Sequence, residues 1–169
     1  MKHVEVYCDG SCFPNPGPGG WAAVLSYTDT RGEVHTRELS GPADNTTNSR
    51  MEMTAAIQAL RCLTHSPCDV TLHSDSQYLI FAFTKGWLEN WARYGWKGGA
   101  VKNRDLWEEL LALDQKHQVT WVWVRDHAGN PGNERADFLA GEQRLAVING
   151  RRKENPGPER VPQIRERGG

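Results

Sequence analysis

The segment VEVYCDGSCFPNPGPGGWAAVL (residues 4–25) determines how the chain begins to fold. Its first apolar residues alternate with polar ones, and this period of two predicts a strand over residues 3–8. The Gly- and Pro-rich stretch that follows predicts a turn, and residues 21–27 predict a second strand that returns beside the first. Asp9 comes directly after the first strand, where a carboxylate is costly to remove from water unless it has a partner. The segment therefore predicts a hairpin that carries an acid in need of a partner.

Later segments extend this hairpin into a sheet covered by helices. Residues 33–40 predict a third, mostly polar strand, which suits the edge of a sheet. The apolar spacing then changes to i, i+3, i+4 and predicts a helix over residues 50–63. The remaining patterns predict a strand at 69–74, a helix at 76–85, a short helix and loop within 87–103, a helix at 104–116, a strand at 118–124 and a last helix from Asn133 or Glu134 to about Val147. This order predicts an α/β fold: a mixed five-stranded sheet, antiparallel over its first three strands, with helices on both faces.

Length and composition limit the class of protein. A chain of 169 residues is expected to form one domain. It has no apolar run of about 18 residues and no signal-peptide pattern, so we expect a cytoplasmic protein without membrane contact. Residues 1–149 form the predicted domain. Residues 150–169 are poor in apolar side chains and are expected to be a disordered basic tail that contains Pro and Gly.

The distribution of charge is more informative than the net charge of −1. Residues 151–169 contain six basic and three acidic residues, which leaves 14 basic and 18 acidic residues in the body of the chain. Within that acidic body, residues 85–104 contain five basic residues and one acid. A local cluster of cations in an acidic body predicts a surface for a polyanion.

Three further acids occupy positions where a structural role alone would explain their presence. Glu52 lies in the first turn of a predicted helix, where Ser49 and Glu52 fit a capping box. Asp75 follows a strand and precedes a helix, so it could cap that helix. Asp137 lies near the start of the last helix, where a negative charge interacts favourably with the helix dipole. Taken singly, each acid is explained by helix capping or helix electrostatics.

Together with Asp9, these acids predict a metal site. Strand ends and helix starts meet at one edge of an α/β sheet, so Asp9, Glu52, Asp75 and Asp137 are expected to converge. Four neighbouring carboxylates repel one another, and some would stay protonated unless a cation lay between them. A site made only of carboxylate oxygens suits Mg²⁺ or Mn²⁺ better than zinc.

Five segments, in this order, resemble the bacterial type 1 ribonuclease H family: DGSCFPNPGPGGW, TTNSRMEMTAAIQAL, SDSQYL, KNRDLW and VRDHAGNPGNERADFLA. The resemblance spans about residues 3–147. It implies a ribonuclease H-like fold and an endonuclease that hydrolyses the RNA strand of RNA/DNA hybrids, leaving 5′-phosphate and 3′-hydroxyl ends. The implied cofactors are two Mg²⁺ ions per active site, with Mn²⁺ as a substitute.

The resemblance also implies roles for single residues. Asp9, Glu52, Asp75 and Asp137 would hold the two ions: Asp9 bridges both, Asp137 helps to hold the ion that activates water, and Glu52 and Asp75 hold the other. His127 lies in a loop with Gly and Pro and would be the catalytic proton shuttle that aids product departure. Without the resemblance, His127 would be interpreted as a solvated loop histidine.

The resemblance further implies contacts with the hybrid for six residues: Asn15, Thr47, Asn48, Gln77, Trp91 and Asn103. The three side-chain amides Asn15, Asn48 and Gln77 suit the minor groove, because an amide can bond the RNA 2′-hydroxyl that DNA lacks. Turn or cap chemistry explains Asn48 equally well. Trp91 is expected near the DNA backbone, and Thr47 and Asn103 in a pocket for a DNA phosphate. Asn103 is also predicted to cap the helix that follows it.

The sequence departs from the family's pattern in three places. The basic segment has a short tip, KGGAVKN (residues 97–103), with few cations. Asn45 stands where an arginine often completes the phosphate pocket, and Ser49 stands where another amide is common. These departures predict weaker hybrid binding, with a higher KM and a flatter dependence on salt.

The sequence leaves two other classes of protein open. A hybrid-binding module without catalysis would need the binding surface but not all four acids and His127. A different nuclease or a transposase would share the fold, although such enzymes usually carry extra domains. We expect a monomer that takes an RNA/DNA hybrid as substrate and needs no obligate protein partner.

Overall fold

The computed structural model of the protein describes residues 1–125 and 129–154, with side chains up to Arg151. A mixed sheet lies at its centre. The strands are β1 (His3–Cys12), β2 (Gly17–Thr28), β3 (Val34–Thr46), β4 (Asp69–Ser74) and β5 (Gln118–Trp123), in the order β3-β2-β1-β4-β5. The first three strands pair antiparallel, whereas β4 runs parallel to β1 and β5 parallel to β4. The predicted five-stranded mixed sheet is confirmed, with β3 at an edge as expected.

Helices cover both faces of the sheet. Those in the described residues are α1 (Asn48–Arg61), α2 (Gln77–Thr84), α3 (Trp87–Arg93), α4 (Trp96–Gly99), α5 (Arg104–Lys116) and α6 (Pro131–Glu154). Tyr7 and Gly10 point to opposite faces of β1, because side chains alternate along a strand. The ring of Tyr7 contacts Gly132 of α6, whereas Gly10 lies against the backbone of α1. The helices α1 and α6 therefore enclose β1 from its two sides.

The main hydrophobic core lies on the α1 side of the sheet. The alternating β1 residues Val4, Val6 and Cys8 are buried, and the apolar stripe of α1 packs over them. The helices α2 and α5 extend this core with Leu79 and the fully buried Trp107. Full burial of a valine or leucine side chain contributes about 1.5–3 kcal/mol to the free energy of unfolding. This packing fixes the positions of β1, β4 and α1 relative to one another.

The last helix is longer than the sequence pattern predicts. It begins at Pro131 rather than Asn133, because the side chain of Asn130 accepts backbone N–H groups of the first turn. It ends at Glu154, beyond the expected end near Val147. The predicted boundary at residue 149 between domain and tail falls inside this helix.

No helix within the described ranges is long and apolar enough to span a membrane.

Candidate active site

The register of two parallel strands aligns two of the predicted acids. Tyr7 of β1 pairs with His73 of β4, and their rings stack with centroids 4.3 Å apart. Asp9 and Asp75 each lie two residues beyond this pair, where the parallel pairing of β1 with β4 has ended. β1 itself continues to Cys12 because its other edge remains paired with β2, so the predicted strand end at residue 8 is too early. The end of the parallel pairing places Asp9 and Asp75 side by side.

A close approach of β1 and α1 adds the third acid. A Cβ atom on Gly10 would lie 2.5 Å from the backbone nitrogen of Glu52 and 2.7 Å from the side chain of Met51. Such separations are too short for any side chain, so a glycine at this position is required. As a result, carboxylate oxygens of Asp9, Glu52 and Asp75 lie within 4.8 Å of one another.

The fourth acid comes from the opposite side of the sheet. Asp137 lies in the second turn of α6 and is exposed. Its side chain lies close enough to the carboxyl group of Asp9 to contribute to raising the pKa of Asp9. The structure thus brings together Asp9, Glu52, Asp75 and Asp137, from β1, α1, the end of β4 and α6. Their roles in catalysis stay predictions.

Burial and mutual repulsion dominate the electrostatics of this acid cluster. Asp9 is 3% exposed and Glu52 is 5% exposed. Burial, followed by the charge of Asp75, raises the pKa of Asp9 to about 8. Burial, followed by the charges of Asp9 and Asp75, raises the pKa of Glu52 well above its usual range. In the absence of a cation, the acid cluster therefore retains protons at neutral pH.

The donor set of the acid cluster fits a hard divalent cation. Oε2 of Glu52 is buried, and no residue in the described part of the chain hydrogen-bonds to it. A buried oxygen without a partner is costly, and a cation would satisfy it. All the available ligands are carboxylate oxygens, which favours Mg²⁺ or Mn²⁺ over softer metals.

The structural explanations considered for Glu52 and Asp75 are wrong. The helix α1 begins after Thr47, whose hydroxyl group accepts the backbone N–H of Arg50 at 3.2 Å. Thr47 therefore takes the capping position, and the predicted box that starts at Ser49 does not form. In the same way, Ser76 rather than Asp75 caps α2. Helix capping thus explains neither acid.

The predicted proton shuttle, His127, lies outside the described residues, but the ends of its loop are fixed near the acid cluster. The backbone N–H of Val124 donates to the carbonyl oxygen of Ser74, which precedes Asp75. At the other end, Asn130 caps α6. The described residues before and after 126–128 therefore lie beside Asp75 and at the start of the helix that carries Asp137, respectively.

Three of the six predicted substrate contacts lie together. The side-chain oxygen of Asn15, in the turn between β1 and β2, accepts the backbone N–H of Asn48 at 3.2 Å. Thr47 immediately precedes Asn48. Gln77 is exposed at the start of α2, two residues beyond Asp75. Within the described ranges, Gln77 has no hydrogen bond to the other predicted contacts.

The basic segment is partly a packing element. Trp91 is half-buried and packs edge-on against Trp107, with ring centroids 5.7 Å apart. Trp96 is buried, so core packing accounts for it, and the guanidinium of Arg104 lies over its ring. Lys97 is exposed beside it. The cations therefore lie around a folded aromatic base, and no hydrogen bond joins Trp91 to the other predicted contacts in the part of the chain that the structure describes.

Asn103 does not cap α5 with its side chain, as was predicted, but contacts Arg50. It has a left-handed backbone conformation (φ 62°) before α5 and makes no side-chain capping bond. Its side-chain oxygen instead accepts a hydrogen bond from Nη1 of Arg50 at 3.3 Å. Arg50 also forms a two-bond ion pair with Asp105. Sequence reasoning missed Arg50 because its contact depends on how α1 docks against α5, which no local pattern records.

A second group of potential ligands consists of Asp29 and Glu33, in the turn between β2 and β3, and His35 at the start of β3. This group is partly exposed, and its carboxylate at Asp29 already accepts the backbone N–H groups of Arg31 and Glu33. Asp29 also pairs with His35 at 2.8 Å. These bonds are sufficient to explain the group as part of the turn.

The fold and the acid cluster together define a class of protein: a ribonuclease H-like α/β domain with carboxylates at the junction of its central strands and flanking helices. The family described as RNase H matches residues 1–144. The chain is 53% identical over 159 residues to a ribonuclease H of Moorella thermoacetica, covering 92% of this chain and 99% of that protein. It is 50% identical over 153 residues to a ribonuclease H of Xanthomonas campestris pv. campestris, covering 89% and 97%. The chain belongs to the ribonuclease H family.

Solved structures support the same conclusion about the fold. LC9-RNase H1, described as a type 1 RNase H with the type 2 active-site motif, has a TM-score of 0.80 and 34% identity, covering 87% of this chain and 74% of that one. LC11-RNase H1, solved in complex with an RNA/DNA hybrid, has a TM-score of 0.62 and 21% identity, covering 86% and 99%. The predicted family and fold are confirmed.

Proposed function

We propose that this protein is an endonuclease that hydrolyses the RNA strand of RNA/DNA hybrids and leaves 5′-phosphate and 3′-hydroxyl ends. The observation that carries the proposal is the convergence of Asp9, Glu52 and Asp75 within 4.8 Å, with Asp137 close enough to raise the pKa of Asp9. Membership of the ribonuclease H family supports it. We also propose that the protein acts in the cytoplasm as a monomer without an obligate protein partner.

The four carboxylates would hold two Mg²⁺ ions, for which Mn²⁺ is a substitute. Asp9 would be shared by both ions, Asp137 would serve the ion that activates water, and Glu52 and Asp75 would serve the other. When bound, such ions lower the pKa of a water molecule and neutralise charge on the phosphate. The buried Glu52 oxygen, which has no partner among the described residues, supports this assignment.

The reaction is a displacement at phosphorus. The oxygen of a water molecule forms a bond to phosphorus, and the bond from phosphorus to the 3′-oxygen breaks. That oxygen takes a proton and becomes the 3′-hydroxyl, while the phosphate stays on the 5′ side of the next nucleotide. Asp137 is exposed and would orient the water molecule at the solvent side of the acid cluster. We propose His127 as the group that carries a proton as the product leaves.

Contacts with the hybrid are proposed at the surface beside the acid cluster. Asn15, Asn48 and Gln77 would bond to the minor groove and to RNA 2′-hydroxyl groups, which distinguish RNA from DNA. Thr47 and Asn103 would bind a phosphate of the DNA strand. Trp91 would contact the DNA backbone, with the nearby cations supplying the dependence on salt. The hydrogen bond from the backbone N–H of Asn48 to the side chain of Asn15 supports this surface because it holds the two residues together.

The test compares wild type with Asp9→Asn on an end-labelled RNA/DNA hybrid, duplex RNA and duplex DNA, each in Mg²⁺, Mn²⁺ or EDTA. Asp29→Asn is the matched control, because Asp29 belongs to the second group of potential ligands. We expect only the RNA strand of the hybrid to be cut, by wild type and by the control, with no cutting in EDTA. Binding of the hybrid without cutting would identify a binding module, and cutting of duplex DNA would identify a different nuclease.

A further inference from the structure

Arg50 connects two residues that lie far apart in the sequence. Its backbone N–H donates to the hydroxyl group of Thr47, and Nη1 of its guanidinium donates to the side-chain oxygen of Asn103. The guanidinium also forms two bonds with Asp105, at 3.0 and 2.8 Å. One arginine therefore contacts both residues to which a phosphate pocket is assigned above, Thr47 through its backbone and Asn103 through its guanidinium.

The side chain of Asn103 is available for the contact with Arg50 because it does not cap α5. Asparagine before a helix usually caps it, yet Asn103 makes no capping bond. It also holds a left-handed backbone conformation, which asparagine adopts more readily than most other residues with a side chain but which still costs free energy that surrounding contacts offset. Here the contact that uses the Asn103 side chain is the one with Arg50.

The pocket needs a cation that Thr47 and Asn103 cannot supply. Both side chains are neutral, and so is Asn45, three residues before Asn48 on the approach to α1. A guanidinium binds phosphate through parallel N–H groups and keeps its charge at any relevant pH. The Arg50 side chain is 36% exposed, so an anion in solvent can reach part of it. Arg50 is thus placed and oriented to meet an anion beside Thr47 and Asn103.

We propose that Arg50 is the cation of this pocket, that it binds one phosphate of the DNA strand together with Thr47 and Asn103, and that Asp105 limits the affinity by neutralising it. The proposal rests on the function proposed above, since it takes the hybrid as the ligand. The carboxylate of Asp105 is 65% exposed, and exposed ion pairs contribute little to stability. Asp105 therefore acts mainly by reducing the positive charge that Arg50 presents to the phosphate.

The first test measures binding of a fluorescent RNA/DNA hybrid in EDTA at several NaCl concentrations. Arg50→Gln should weaken binding and reduce the slope of log Kd against log salt by about 1, because one phosphate contact is lost. Arg50→Lys should keep the slope of the wild type and recover part of the affinity. Asp105→Asn should tighten binding, because the arginine loses its competing carboxylate.

Glu109→Gln is the matched control for Asp105→Asn. Glu109 lies one turn further along α5 and pairs with Arg61 of α1 rather than with Arg50 or a cation of the basic segment. Both variants remove one negative charge from the same helix, so only a local effect can distinguish them. Equal changes in Kd for the two variants would overturn the proposal. A lower melting temperature for Arg50→Gln with an unchanged salt slope would also overturn it.

The second test locates the phosphate. Single methylphosphonate linkages, which carry no charge, are placed in turn along the DNA strand and along the RNA strand of the hybrid. At one DNA linkage, wild type and Arg50→Gln should bind equally well, because the charge that Arg50 meets is gone. If no DNA linkage removes the difference, the proposal fails. Since binding in EDTA does not need catalysis, a wild-type protein that fails to cut the hybrid would refute the proposed function separately.

Discussion

Gly10 and Glu52 approach each other so closely that a Cβ atom on Gly10 would lie 2.5 Å from the backbone nitrogen of Glu52. This contact joins the central strand to the first helix beside the acid cluster. The distance between the Asp9 and Glu52 carboxyl groups therefore depends on a residue that has no side chain.

Replacing Gly10 with alanine should force β1 and α1 apart. Overpacking of this kind costs about 1–3 kcal/mol, and we expect both a lower melting temperature and weaker binding of Mg²⁺. Thermal unfolding with and without Mg²⁺ measures both effects. Gly141→Ala is the control, because a Cβ there meets nothing within 4 Å. In a helix this change should stabilise by about 1 kcal/mol. Equal stability of the two variants would contradict the close approach.

Asp9→Asn should stabilise the protein in EDTA and abolish cleavage in Mg²⁺. The substitution removes a buried carboxyl group whose ionisation the charge of Asp75 opposes and whose own charge opposes the ionisation of Glu52. Relief of ~1 kcal/mol of repulsion would raise the melting temperature by about 2–4 °C in a chain of this size. Calorimetry in EDTA measures the shift, with the exposed acid Glu142→Gln as control. A melting temperature equal to or below that of wild type would argue against repulsion within the acid cluster.

Without metal, the stability of the protein should fall as the pH rises from about 4 to 8. Burial raises the pKa of Asp9 to about 8 in the folded state, from its usual 3.8, so the folded protein binds more protons than the unfolded chain over this range. Stability is then present at low pH and is lost as the pH rises through the folded pKa.

The measurement is a series of thermal unfolding curves in EDTA across this range of pH. Asp9→Asn should show a smaller fall, and Mg²⁺ should restore stability at pH 8, because a ligand of the folded state stabilises it. The raised pKa of Asp9 would be contradicted if the wild type became more stable between pH 4 and 8 in EDTA and gained more stability over this range than Asp9→Asn.

The capping of α1 can be tested with two neighbouring residues. Thr47→Ala should lower the free energy of unfolding by about 1 kcal/mol, because Thr47 accepts the N–H of Arg50. Ser49→Ala should change it by less than about 0.5 kcal/mol, since Ser49 lies inside the helix. Urea unfolding of both variants gives the comparison, and a larger effect at Ser49 would restore the capping box first predicted from the sequence.

Local patterns predicted the elements that the acids occupy. The helix at 104–116 and the strand at 69–74 have the predicted bounds, because each is limited by a clear change of apolar period. The approach of Asp9 to Asp75 also follows from strand order, since parallel neighbours end at the same edge. These features depend on neighbours in the sequence or on simple topology.

Features that depend on contacts between distant elements were not predictable in the same way. The strand β1 extends to Cys12 because β2 continues to pair with it, which no pattern in residues 9–12 shows. The serine at 49 satisfied a capping rule, but Thr47 competes for the same helix start and takes it. The contact of Arg50 with Asn103 requires α1 and α5 to dock first.

The four carboxylates come from residues 9, 52, 75 and 137, so they span most of the folded domain. A nascent chain on the ribosome lacks Asp137 until almost all of that domain has been synthesised. A fragment that ends within or before β5 holds at most three of the acids and lacks α6, which covers the second face of the sheet. The acid cluster is therefore completed only when most of the domain has been synthesised, and the proposed cleavage of RNA has to wait for Asp137 and the helix that carries it.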